Sequence, residues 1–185
     1  PMANDDSWGH WAFAGSEPGP DLNIFSARYD TFIHPVTGKP LRATILETAQ
    51  WVNVVARTAS GDFVLVRQFR FGAREVTLEV PAGLVDTGEE PQAAAARELR
   101  EETGFVSDAW SDLGAVYQNP ASHTSLCHLW LADDAKATGE TSPDAGEHLQ
   151  SLVLSAADVA AAVRDGQIRN PYTVVALSRV LDLRA

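Results

Sequence analysis

Between Gly83 and Phe105 the chain reads GLVDTGEEPQAAAARELREETGF, which sets Glu98, Glu101 and Glu102 at spacings of three and four. Residues so spaced share one face of an α-helix, where like charges cost about 0.2–0.5 kcal/mol per pair. A hard divalent cation reverses the sign of that interaction, because carboxylate oxygens are the donors such ions take. Clustered carboxylates are what such a cation would need, and a bound cation would let a small anionic ligand approach them. A solvated helix face, with Arg97 four residues before Glu101, accounts for part of the pattern. It gives no reason for Gly83 and Glu89 upstream, or for Gly104 and Phe105 at the end.

Positioning those carboxylates requires a helix, and the punctuation for one is present. Pro91 suits a first helical turn and Gly104 the position just past the last. Ahead of it, VTLEVP predicts a short strand ending at Pro81, and WVNVVART and FVLVRQFRF, separated by ASGD, predict a hairpin. An earlier hairpin is expected over about 27–48, turning at PVTGKP. After the helix, LGAVYQ, SLCHLWLA and LQSLVLS read as strands, and helices are expected after Ser155 and near Pro171. The polar segment 133–148 is the longest loop candidate, and a loop of that length in a compact domain is commonly functional. The fold class is α/β with a mixed sheet.

Composition narrows the partners. A chain of 185 residues suits one well-buried core. Its formal charge of −11 argues against a broad phosphate-binding surface for nucleic acid, while a small anionic ligand remains compatible if a cation intervenes. No stretch approaches the length of a membrane span, the first residues lack the basic start and apolar run of a signal peptide, and Cys127 is the single cysteine. The expectation is a cytoplasmic protein that binds neither membrane nor nucleic acid.

Written from Gly83, the stretch has the form G-x5-E-x7-R-E-L-x-E-E-x-G-F, with Gly83, Glu89, Arg97, Glu98, Glu101, Glu102 and Gly104 at the fixed places. It resembles the Nudix box. The resemblance implies an α/β/α sandwich, here residues 49–185, preceded by a small β-rich segment over 1–48 that helps build a homodimer. It implies that Glu98, Glu101 and Glu102 hold Mg²⁺ or Mn²⁺ together with the backbone carbonyl of Ala82. Glu89 and Arg97 look like loop-ordering partners rather than ligands. The lead-in VLVRQFRFG…LEVPAGLVD, with Pro120 beyond the box, is similar to the branch that cleaves ADP-ribose and nucleoside diphosphate sugars. There Arg70 matches an arginine that touches substrate phosphate; the alternative is an exposed edge-strand arginine. SPDAGEHLQSLVLS resembles the branch's acidic loop, with Glu147 at the place of a metal-binding or base glutamate. The match departs at Ala145, where some members carry a second acid; Asp144 and Asp134 are the nearer alternatives for the base.

The function so implied is metal-dependent hydrolysis of the diphosphate of ADP-ribose or a related nucleoside diphosphate sugar, with Glu101, Glu102 and Glu147 in the catalytic centre. Rival readings are another diphosphate substrate, such as a dinucleoside polyphosphate, NADH or capped RNA, and a sensor that binds ADP-ribose without turnover. Trp51, opening a strand, could stack on a nucleobase, or fill a core or a dimer interface. His123 and His128, read as strand residues an odd number apart, fall on opposite faces and do not form a metal pair. Cys127 reads as a small buried hydrophobe.

Overall fold

A computed structural model of the chain describes residues 9–139, 141 and 148–184. Asp144, Ala145 and Glu147 therefore lie outside the described residues. The chain divides into two compact units, one comprising the described residues up to Thr48 with Tyr117–Ser125, the other Ala49–Val116 with Leu126 onward.

The first unit is built on an antiparallel sheet of β1 (Ala12–Asp21), β2 (Ser26–Ile33) and β3 (Pro40–Glu47), in that order. Strands β2 and β3 form the expected hairpin, closed at a turn where Gly38, at φ 65°, donates its N–H to the His34 carbonyl. Strand β1 was not anticipated, since AFAGSEPGPD carries two prolines and two glycines. It is an edge strand, where proline is tolerated, and its register to β2 shifts between Phe13 and Gly15 and between Pro18 and Asp21. It is tied down by Ser16 Oγ, which donates to the buried Asp30 at 2.7 Å.

The second unit carries a seven-stranded mixed sheet. Its path runs β12 (Leu149–Leu154), β5 (Phe63–Arg70), β4 (Trp51–Arg57), β10 (Leu126–Asp133), β9 (Ala109–Tyr117). Two short strands leave this path: β6 (Glu75–Glu79) pairs with β5, and β7 (Ala82–Leu84) pairs with β4. The contact of β4 with β10 is parallel, whereas β4 with β5 and β5 with β12 are antiparallel. A separate pair joins β8 (Phe105–Val106), just past the helix that follows β7, to β11 (Lys136–Ala137), which lies inside the 133–148 segment expected to be a loop.

Alternation along β4 explains the layering. Val52, Val54 and Ala56 join a core with Ala94, Ala95 and Leu99 of helix α1 (Pro91–Thr103). Val55 joins the other core, with Val159 and Ala162 of α2 (Ala156–Arg164) and Ala176 and Leu177 of α3 (Pro171–Ser178). Successive strand side chains point to opposite faces, so a continuous apolar run serves both layers. The result is the α/β/α arrangement expected. Gly104 ends α1 in the left-handed region at φ 71°, returning its N–H to Arg100. Helix α3 is preceded by Asn170, whose side chain caps the Tyr172 and Thr173 N–H groups, and it stops at Ser178.

Candidate active site

Strand β7 brings the start of the glycine stretch beside α1. Its ladder to β4 sets Ala82 against Asn53, Gly83 against Val52 and Leu84 against Trp51. Glu102, 5% exposed, reaches back across this junction and accepts the Ala82 N–H at 3.0 Å. Glu98 lies against Gly83, in space that a β-carbon at Gly83 would occupy. Strand and helix are thus joined through two of the three carboxylates.

Arg97 makes the third connection. Its Nη2 donates to the Leu84 carbonyl at 2.9 Å and to Glu89 Oε2 at 3.0 Å, and its Nε donates to Glu89 Oε1 at 3.1 Å. Glu89 Oε2 also accepts the Asp86 N–H at 3.0 Å, so the loop from Asp86 to Glu89 is fastened to the helix. From its other side Arg97 Nη1 donates to Glu98 at 2.7 Å and Glu101 at 3.3 Å. The Glu89 bonds, followed by those to Glu98, push the Arg97 pKa up, and Arg97 in turn holds the Glu89 carboxyl below its usual range.

These groups line a cavity of about 430 Å³ that takes in Trp51, Arg70, Ala82, Asp86, Glu98, Glu101 and Glu102. Of the residues the sequence nominated for the site, Trp51, Arg70, Ala82, Glu98, Glu101 and Glu102 line this one cavity. A hollow of about 550 Å³ at Ser178–Arg184 gathers no comparable set of carboxylates. Asp134 is not among the cavity's residues; it lines a separate hollow with Arg57 and Thr58. His123 lies outside the named strands, in an isolated bridge to Leu46, its Nδ1 3.0 Å from Ser122 Oγ. Cys127 is 1% exposed with its thiol pushed up to about 12 by burial, and its Sγ donates to Asn53 Oδ1 at 3.2 Å.

One residue of the site escaped the sequence reading. Arg70 is gripped by Glu79 in a two-pronged ion pair, Nε to Oε1 at 3.1 Å and Nη2 to Oε2 at 2.9 Å. The Glu79 side chain is 2% exposed and also accepts from Thr77 Oγ1 and Asn170 Nδ2, each at 2.6 Å. The available signal was a glutamate in VTLEVP flanked by apolar Leu78 and Val80, both buried.

Four carboxylates and two guanidiniums line the cavity, and one of those guanidiniums is already neutralised by Glu79. Such a wall repels a diphosphate unless a cation is added. The donors are oxygen throughout, which fits a hard divalent ion. Among the described residues no three acidic, histidine or cysteine side chains yet converge on one point. Arg97 lies against Glu98 and Glu101, and Glu102 is turned to the Ala82 N–H. Arg97 bonds Glu89 and Leu84 through Nε and Nη2, and Glu98 and Glu101 through Nη1, so the loop and the carboxylates are held by different donors.

A model of the NUDIX domain matches residues 48–174. The chain is 29% identical over 159 residues to an ADP-ribose pyrophosphatase of Bacillus subtilis, covering 83% of this chain and 86% of that protein. It is 32% identical over 125 residues to a GDP-mannose pyrophosphatase of Cronobacter sakazakii, covering 63% of this chain and 65% of that one. A solved structure described as an ADP compounds hydrolase superposes with a TM-score of 0.80 at 22% identity, over 92% of this chain and 91% of that chain, a likeness of fold. The match over residues 48–174, with the pyrophosphatase relatives, places the chain in the NUDIX domain family, as one of its pyrophosphatase-like hydrolases.

Proposed function

We propose that this protein hydrolyses the diphosphate linkage of a nucleoside diphosphate sugar, ADP-ribose or a close relative such as GDP-mannose, with Mg²⁺ or Mn²⁺. The observation that carries the reading is the anionic cavity in which Glu98, Glu101 and Glu102 stand with Arg70. Glu98, Glu101, Glu102 and the Ala82 carbonyl would hold the ion. When bound, it supplies neutralisation of the phosphoryl oxygens and activation of a water.

The chain's own residues do the remaining work. Arg70 steadies the phosphates through a guanidinium already oriented by Glu79. Trp51, at the cavity wall, offers an aromatic surface to the nucleobase. Arg97 and Glu89 hold the loop. Glu147, in the acidic loop before β12, takes a proton from the attacking water or completes the ion's shell. With ADP-ribose the products are AMP and ribose 5-phosphate.

The first unit exposes Trp11, Phe13, Leu22, Ile24 and Leu41, which supports its use as the homodimer surface. Light scattering at micromolar concentration should give twice the chain mass; a monomer removes the assembly from the account. Among the described residues no helix is long and apolar enough to cross a membrane. The substrate is tested by measuring monophosphate release from ADP-ribose, GDP-mannose, UDP-glucose and NADH with each ion. Turnover concentrated on one nucleoside diphosphate sugar is expected. Binding of ADP-ribose with no turnover of any of them would instead indicate a sensor.

A further inference from the structure

We propose that Glu79 is a positioning residue for Arg70, holding its guanidinium at the cavity wall in the orientation that receives substrate phosphate. The proposal rests on the reading of Arg70 as a phosphate-binding group.

A carboxylate as buried as Glu79 must be compensated, and an ion pair is a poor device if stability were its only purpose, since apolar residues of similar volume do as well or better. The partners here are arranged asymmetrically. Glu79 is almost wholly enclosed, whereas the Arg70 side chain is 37% exposed and faces the cavity. A guanidinium has five donors in a rigid plane, and the two-pronged pair commits two of them to Glu79, which fixes the direction of that plane.

Glu79 is itself braced from two elements. Thr77 Oγ1 donates from β6, and Asn170 Nδ2 donates from the start of α3. Asn170 uses its other side-chain atom, Oδ1, to cap α3, and Val80, just past the end of β6, donates its N–H to Thr173 Oγ1 of the same helix at 3.3 Å. Arg70 is therefore referenced to the packed junction of β6 with α3, and its rotamer is decided before substrate arrives. Burial alone would raise the Glu79 carboxyl, but Arg70, Thr77 and Asn170 together hold it below its usual range, so the pair is charged near neutrality.

The test is a double-mutant cycle on kcat/KM for the best substrate of the panel, with folding checked by circular dichroism. Arg70→Ala and Glu79→Gln should each lower kcat/KM by roughly 10- to 100-fold, the size expected for hydrogen bonds to a charged group. The double variant should be no worse than Arg70→Ala alone. A role in general stability would instead multiply the two losses. Asn170→Ser keeps an oxygen to cap α3 but removes the donor to Glu79; it should cost several-fold in the wild-type background and nothing on top of Arg70→Ala. Should Glu79→Gln fail to fold, that second pair decides. Wild-type kcat/KM in folded Glu79→Gln, or multiplied losses in either cycle, overturns the positioning role while the hydrolase reading stands. A wild type with no turnover on the panel overturns both.

Discussion

Glu98 rests its carboxylate so close to Gly83 that a β-carbon there would lie 2.0 Å from Oε1 and 2.5 Å from Oε2. The glycine is required by the carboxylate's position and not by backbone conformation, since Gly83 is absent from the positive-φ residues. The atom in the way is the end of a flexible side chain, which can swing aside cheaply.

Gly83→Ala should therefore separate activity from stability. Displacing Glu98 removes a charge from the site, so turnover should fall on the order of 10²-fold, the scale for losing a preorganised electrostatic contact. The urea midpoint should move little. A large stability loss with normal turnover per folded molecule would show that Gly83 serves strand β7 rather than Glu98.

Stability should carry a signature of Glu79 in acid. Its folded pKa lies below the unfolded carboxylate value of about 4.3, so the native state binds fewer protons and the stabilisation is complete above that value. It is lost as pH falls through the depressed folded pKa. Urea unfolding of wild type and Glu79→Gln between pH 6 and pH 3 should show the wild type's advantage shrinking below roughly pH 4. A constant difference over the range would contradict the assigned charge state.

For the proton acceptor, Glu147→Gln should cut turnover strongly with near-normal substrate affinity, and Asp144→Asn should do much less. A matching fall in metal affinity would make Glu147 a ligand. The reverse ranking would mean that the acidic loop is misaligned and would leave the box untouched.

What the sequence disclosed follows from which interactions are local. The α1 carboxylates, Pro91 at its start and Gly104 at its end were legible because helix periodicity and capping act within a few residues. The β2–β3 hairpin was legible for the same reason. Strand β1 was not, because its prolines and glycines oppose a strand and only the edge position and the Ser16–Asp30 bond permit it. Glu79 was hidden because its meaning depends on Arg70 and Asn170, nine and ninety-one residues away. Arg97 was read both as a loop partner of Glu89 and as a helix neighbour of Glu101, and it bonds both; its bonds to Glu98 and to the Leu84 carbonyl were not read. Asp134, an open alternative for the base, lines a different hollow because its backbone turns at φ 51° beside the Arg57–Asp133 pair.

The carboxylate face of α1 should make diphosphate cleavage dependent on a divalent ion. The most direct test is monophosphate release from ADP-ribose, titrated with Mg²⁺ or Mn²⁺, in wild type and Glu102→Gln. Glutamine keeps an oxygen for the Ala82 N–H, so the fold should persist while the charge is lost. Turnover should vanish in chelator, return with added ion, and lie about 10²-fold or more lower in the variant at a raised ion requirement. Turnover that survives chelation, or a variant within a few-fold of wild type at the same ion concentration, would contradict the account.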